Sequence, residues 1–274
     1  MTTTRTVFFI SDGTGITAES MGHSLMSQFE GVEFRQVRIP FVDTIAKARD
    51  CVTQIRAAGA VDGARPVVMS SMVNPELAKV LHEADALILD FFETFIAPLE
   101  AEFKLSSSHA VGRSRKIATS SDYAARIEAV NYTLSHDDGL SGDDLDLADL
   151  ILVGVSRSGK TPTSLYLALH FGVRTANYPL TPEDFERDRL PDHLGRHRGK
   201  MYGLSITAER LASVRNARRP DSPYAALNTC RFEVDAAARL MRRYEIQTFD
   251  STTRSIEEIA AAIMQKAKLE RMAY

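Results

Sequence analysis

The stretch L-I-L-V-G-V-S-R-S-G-K-T, Leu150 to Thr161, joins an apolar run to a glycine-rich turn, and P-T-S-L-Y-L-A follows with helical spacing. The turn matches G-x-x-x-x-G-K-[ST] at every fixed position. A strand before it and a helix after it supply the context in which that spacing has physical meaning. Gly154 and Gly159 let the backbone bend and come close to a phosphate. The N–H groups of Val155, Ser156, Arg157 and Ser158, just ahead of a helix, point at the anion. Lys160 would reach the terminal phosphates, and the Thr161 hydroxyl would ligate Mg²⁺. The stretch therefore reads as the nucleotide-binding loop of a P-loop kinase-like α/β domain. It does not by itself choose between a kinase, an ATPase and a GTPase. D-H-L-G, Asp192 to Gly195, spells the D-x-x-G of a GTPase switch, but no N-K-x-D follows and no apolar strand leads into it, so the GTPase reading is set aside.

The first hundred residues show the same alternation. Apolar runs at Val7–Ile10, Phe34–Ile39, Pro66–Met69 and Ala86–Leu89 are each followed by a helical pattern, over Ala18–Phe29, Thr44–Ala58, Pro75–His82 and Phe95–Phe103. This order predicts a parallel sheet with helices on its faces. Residues 1–105 are expected to form an N-terminal α/β domain. A Ser-rich and basic stretch, residues 106–122, lacks apolar periodicity and reads as a linker. Residues 123–274 are expected to form the P-loop kinase-like domain. Its helices are placed over Tyr123–Leu134, Lys160–His170, Ala208–Asn216 and Pro223–Tyr244. Strands are placed at Leu150–Val155, Val173–Ala176, Met201–Ile206 and Ile246–Phe249. Ser255 with Glu258 forms a capping box that starts a terminal helix.

Composition narrows the function classes. The 33 basic and 36 acidic residues leave a formal net charge of −3, which gives no nucleic-acid footprint. No run approaches the roughly 18 apolar residues of a bilayer span, and the N-terminus lacks the apolar core of a signal peptide. Neither nucleic acid nor membrane is expected as a partner, and the cytoplasm is the expected compartment. Cys51 and Cys230 lie far apart without C-x-x-C spacing, which argues against a zinc site or a disulfide framework.

Three further segments carry chemistry. S-H-D-D-G, Ser135 to Gly139, offers two adjacent carboxylates; Asp137 or Asp138 could take the proton of an acceptor hydroxyl or help hold Mg²⁺, and an exposed acidic turn is the other reading. The segment from Glu186 to Lys200, rich in Arg and His and including Arg196 and His197, could fold over phosphates or hold a phosphorylated partner, or be a solvated loop. At the N-terminus, I-S-D-G-T-G-I-T-A-E again places glycines between a strand and a helix. It lacks the lysine of the other loop, and a turn with Thr17 as helix cap is the simpler reading. A second anion or partner site at Asp12, Gly13 and Thr14 is the alternative.

Together, S-D-G-T-G-I-T-A-E, N-Y-T-L-S-H-D-D-G, G-V-S-R-S-G-K-T-P-T-S-L-Y-L-A and S-I-E-E-I-A resemble the bifunctional kinase and pyrophosphorylase family, over nearly the whole chain. The resemblance implies an enzyme that uses ADP to phosphorylate a threonine of phosphoenolpyruvate synthase, or of pyruvate, phosphate dikinase, and so inactivates it. It also implies the reversal, in which inorganic phosphate removes the phosphoryl group and pyrophosphate leaves. The closing R-M-A-Y and M-S-Q-F at Met26 look more like the synthase regulators, although the family closing R-M-Y lacks an equivalent of Ala273. ADP, inorganic phosphate and Mg²⁺ are the implied substrates and cofactor, with Asp137, Asp138 and Lys160 as the catalytic set. A homodimer is left open. A small-molecule kinase and a non-catalytic nucleotide sensor are the readings from other classes.

Overall fold

The computed structural model describes residues 3–110, 120–137 and 144–269. The chain divides into two compact units, Met1–Lys116 and Ile117–Tyr274. In the first, β1 (Thr3–Ile10), α1 (Ile16–Met26), β2 (Val32–Ile39), α2 (Ile45–Asp62), β3 (Val67–Ser70), α3 (Pro75–Leu81), β4 (Leu87–Asp90) and α4 (Phe91–Phe103) alternate along the chain. The strands form one parallel sheet in the order β2-β1-β3-β4.

The second unit runs α5 (Ser120–Ser135), β5 (Leu150–Gly154), α6 (Lys160–Phe171), β6 (Thr175–Pro179), α7 (Pro182–Arg187), α8 (Asp192–Gly195), β7 (Met201–Ser205), α9 (Ala208–Arg218), α10 (Leu227–Arg243), β8 (Gln247–Asp250) and α11 (Ile256–Ala267). Its strands are also all parallel, in the order β6-β5-β7-β8. Counted within each unit, both sheets have the order second-first-third-fourth.

Strand periodicity explains why each sheet is covered on both faces. In β1, Phe8 and Ile10 pack with Ala48, Val52, Ile55 and Leu81, while Val7 and Phe9 pack with Ala18, Met26 and Met69. In β5, Ile151 and Val153 join Leu211, Ala237 and Leu240, while Leu150 and Leu152 join Leu167, Ile259 and Ile263. Each such side chain contributes about 1.5–3 kcal/mol on burial, so the two central strands anchor their units. No described helix is long and apolar enough to cross a membrane.

Several local expectations need correction. Gly15, not Thr17, caps α1; its left-handed φ of 77° turns the chain, and no side chain caps the helix. The segment expected to be one loop before β7 holds two short helices. The first, α7, is started by a capping box between Thr181 and Asp184 with Pro182 behind it. The helix expected over Pro223–Tyr244 is broken at Ala226, whose extended backbone separates a 3-10 turn at Pro223–Ala225 from α10. The capping box at Ser255 and Glu258 is present, with bonds of 2.8 and 3.2 Å.

Candidate active site at the glycine-rich loop

The strand order places a crevice in each unit. Successive strands lie on opposite sides of β1, and likewise of β5, so the loops at their C-terminal ends diverge there. In the second unit that position belongs to Gly154–Lys160. Gly154 has a φ of 156°, and a Cβ on it would sit 2.5 Å from Leu204 O on β7. Glycine is required there by close approach of backbone. Gly159 differs: it has open space around it but a φ of 91°, so backbone conformation is what favours glycine.

Lys160 begins α6, is 4% exposed and donates to Val155 O at 2.8 Å, folding its ammonium back over the loop. Ser158 is buried, and its hydroxyl has no hydrogen-bond partner among the described residues. An unmet hydroxyl in a loop of this form suits an incoming acceptor group.

On the β6 side stands a corner of three residues. Thr161 Oγ1 donates to Asp137 Oδ1 at 3.0 Å, and Asn177 Nδ2 donates to Thr161 Oγ1 at 3.0 Å and to Asp137 Oδ1. Asp137 reaches this corner because the end of α5 is tied to β6. Asn177 N donates to His136 O at 2.9 Å, and Thr175 N to Thr133 Oγ1 at 3.1 Å. The His136 ring stacks on Tyr132 at 3.9 Å between centroids, with Nδ1 2.9 Å from Tyr132 O. Asp138 lies outside the described residues.

On the β7 side, Arg215 of α9 is fully buried. It donates to Ser156 O at 3.1 Å, to Tyr224 O at 3.0 Å and to Glu233 Oε2 at 2.5 Å, and lies 3.9 Å over the Tyr224 ring. Tyr224 OH in turn donates to Ser156 Oγ at 2.8 Å. Burial opposes the charge on Arg215, and the Glu233 carboxylate outweighs it, so the guanidinium's pKa is raised. The glycine-rich loop is thus held from below by a charged network that the sequence reading did not name. Arg215 falls four residues after the buried Leu211, on the inward side of α9, and that spacing was its one sequence signal.

Of the other candidates, Asp12, Gly13 and Thr14 lie in the first unit, at the end of β1. Asp12 Oδ2 accepts the N–H groups of Val73 and Asn74 at 2.7 and 2.8 Å, while its Oδ1 is buried without a hydrogen-bond partner among the described residues. Much of the basic segment before β7 is tied to its own unit. Arg189 pairs with Asp192, Arg198 donates to Tyr244 O, and Lys200 donates to Asp146 O and Ala148 O. His197 Nδ1 is 3.8 Å from Asp146, and Arg196 is exposed.

The Kinase/pyrophosphorylase family model matches residues 7–264. The chain belongs to this family. It is similar over 98% of its length to proteins named "Putative phosphoenolpyruvate synthase regulatory protein". One, from Aromatoleum aromaticum, is 62% identical with 98% of its own length covered. One from Azoarcus sp. is 59% identical, also with 98% covered, and one from Ralstonia nicotianae is 56% identical with 96% covered. For a member of the kinase/pyrophosphorylase family, a loop with a buried lysine and an adjoining hydroxyl–carboxylate–amide corner is the place in the second unit to seek phosphoryl chemistry.

Proposed function

We propose that this chain phosphorylates a threonine of phosphoenolpyruvate synthase with ADP as donor, inactivating it, and reverses the modification with inorganic phosphate, releasing pyrophosphate. The observation that supports this most is the convergence on one loop of Lys160, the unmet Ser158 hydroxyl and the Thr161–Asp137–Asn177 corner, in a chain whose relatives carry the synthase in their names.

The corner fits Mg²⁺ by its chemistry. It presents a hydroxyl and a carboxylate, both hard donors, oriented by the Asn177 Nδ2 that donates to each, and among the described residues no group of three or more His, Cys, Asp or Glu forms a protein-only cage. Mg²⁺ is commonly held by one or two protein oxygens with phosphate and water completing its shell. Thr161 and Asp137 would hold it, and when bound it would offset charge on the phosphates. The loop amides and Lys160 orient the β-phosphoryl group of ADP. The threonine oxygen forms a bond to that phosphorus as the bond to the bridging oxygen breaks, and AMP departs. The threonine proton passes to a carboxylate. Asp137 is engaged with Thr161 and serves the metal corner, which leaves Asp138 for the proton.

The test is to incubate the protein with phosphoenolpyruvate synthase and ADP·Mg²⁺ and map phosphothreonine by mass spectrometry. A phosphothreonine that disappears, with release of pyrophosphate, on adding phosphate in place of ADP is expected. Modification only of small metabolites, or ADP binding with no transfer, would overturn the reading.

A further inference from the structure

We infer that the cavity on the β7 side of the loop is a second phosphate subsite, taking a phosphate dianion beside the group held by the loop itself. The inference rests on the proposed function and assigns residues to it. The cavity measures about 300 Å³ and is lined by Ser156, Arg157, Arg218, Arg219 and Tyr224. Among the described residues, the side chains of Arg157, Arg218 and Arg219 have neither an ion pair nor a hydrogen bond; other exposed arginines such as Arg49, Arg210 and Arg254 share this, but these three converge on one cavity. Arginines at the end of α9 are favoured by the helix dipole alone. That does not account for Arg157, which sits in the centre of the loop on another element.

Two features mark the cavity as built. Arg157 is held at a φ of 74°, a left-handed conformation that a non-glycine residue adopts at a cost and that is concentrated at functional sites. The wall is rigid, because Tyr224 is fixed by its hydroxyl to Ser156 and by its ring and carbonyl to the buried Arg215. The break at Ala226 that peels this segment away from α10 is what brings Tyr224 to the loop.

Pyrophosphate formation is the step that needs such a place. One oxygen of HPO₄²⁻ forms a bond to the phosphorus of phosphothreonine, the bond from that phosphorus to the threonine oxygen breaks, and the proton of the attacking phosphate ends on the threonine hydroxyl. Four negative charges are present before and after. Lys160 and the metal corner lie at the helix start and on the β6 side, so they cover one of the two groups. Three planar guanidiniums on the β7 side suit the other, because their paired donors match phosphate oxygens. The dianion could be inorganic phosphate or the phosphothreonine of the partner protein.

The experiment compares the wild type with Arg218→Ala/Arg219→Ala and with Arg218→Lys/Arg219→Lys. Both positions are exposed, and retention of fold is checked by circular dichroism. Three KM values are measured, for ADP in the forward direction and for inorganic phosphate and phosphorylated synthase in the reverse. The alanine pair is expected to raise one reverse KM about tenfold or more, with partial rescue by the lysine pair and the ADP value unchanged. A rise for inorganic phosphate identifies it as the occupant; a rise for the phosphoprotein identifies phosphothreonine. Unchanged reverse values, or an equal rise for ADP, would overturn the subsite. If the wild type shows no transfer at all, the proposed function fails first. Equilibrium dialysis with inorganic phosphate then decides the subsite alone: weaker binding by the alanine pair supports it, and equal binding overturns it.

Discussion

The two units share a strand order and each bends sharply after its first strand, yet the donors at the two bends have different destinations. In the first unit, the carboxylate of Asp12 accepts the amides of Val73 and Asn74, and the carbonyls of Ser11 and Gly13 accept those of Val42 and Phe41. There the chain meets two of its own backbone donors with its own carboxylate. In the second unit the loop carries Arg157 and Lys160 and no carboxylate, the Ser158 hydroxyl has no partner among the described residues, and the Asp137 carboxylate sits to one side on Thr161. The topology makes the crevice in both. Under the proposed function, the sign of the side chain placed there decides whether it closes on itself or receives an anion from solution.

The largest expected effect is on Lys160. Lys160→Ala should lower ADP-dependent transfer by at least about a hundredfold with the melting temperature little changed, measured by phosphothreonine formation beside calorimetry. Normal transfer by the folded variant would break the comparison from the second unit's side. Asp12→Ala should show the opposite pattern. Two backbone donors lose a charged acceptor, so stability should fall by about 2–3 kcal/mol, read from denaturant unfolding of the first unit, while ADP affinity stays the same. A loss of ADP affinity at unchanged stability would mean that this loop also serves the ligand.

Asp137→Asn keeps the shape of the corner and removes its charge. It should raise the Mg²⁺ concentration needed for half-maximal transfer by about tenfold or more, with transfer recovering at saturating Mg²⁺. A wild-type Mg²⁺ titration would show that the Thr161–Asp137 corner does not hold the metal. The smallest effect concerns the cysteines, one in each unit. Burial, with the charge of Asp50 adding to it, pushes the Cys51 thiol up to about 11. Burial also raises Cys230, against the opposing charge of Arg215 3.8 Å away. Folded protein at pH 8 should therefore resist maleimide at both, because the thiolate is the nucleophile. The stability contributed by Cys51 should decline as pH rises from about 8.5 towards about 11, since only the unfolded chain releases that proton. Selective labelling of Cys230 would show that the Arg215 network beneath the loop opens.

The alternation of elements could be read from the sequence because β1 and β5 bury both faces and so appear as unbroken apolar runs. The glycine-rich loop was legible because its requirements, glycine at Gly154 and a lysine at the helix start, are local. What failed to show depends on contacts distant in the chain. Asn177 is a polar residue in a strand whose neighbours give no sign of its role, and nothing near it announces that it meets Thr161 and Asp137. Arg215 looks like an ordinary surface arginine in a helix with several others, and only Glu233 and the Ser156 carbonyl reveal its burial. The break at Ala226 is hidden because Pro223 is acceptable at a helix start, and it is Tyr224's pull towards Ser156 that separates the two segments. Thr17 was misplaced as a cap because Gly15 makes the turn through its backbone alone.

The most direct measurement of which bend holds the nucleotide is amide hydrogen exchange on the wild-type protein with and without ADP·Mg²⁺. The account predicts new protection confined to the amides of Val155–Thr161 and the neighbouring turn at Tyr224, with those of Ser11–Gly15 unchanged because their bend carries its own carboxylate. Protection at Ser11–Gly15, with none at Val155–Thr161, would contradict it.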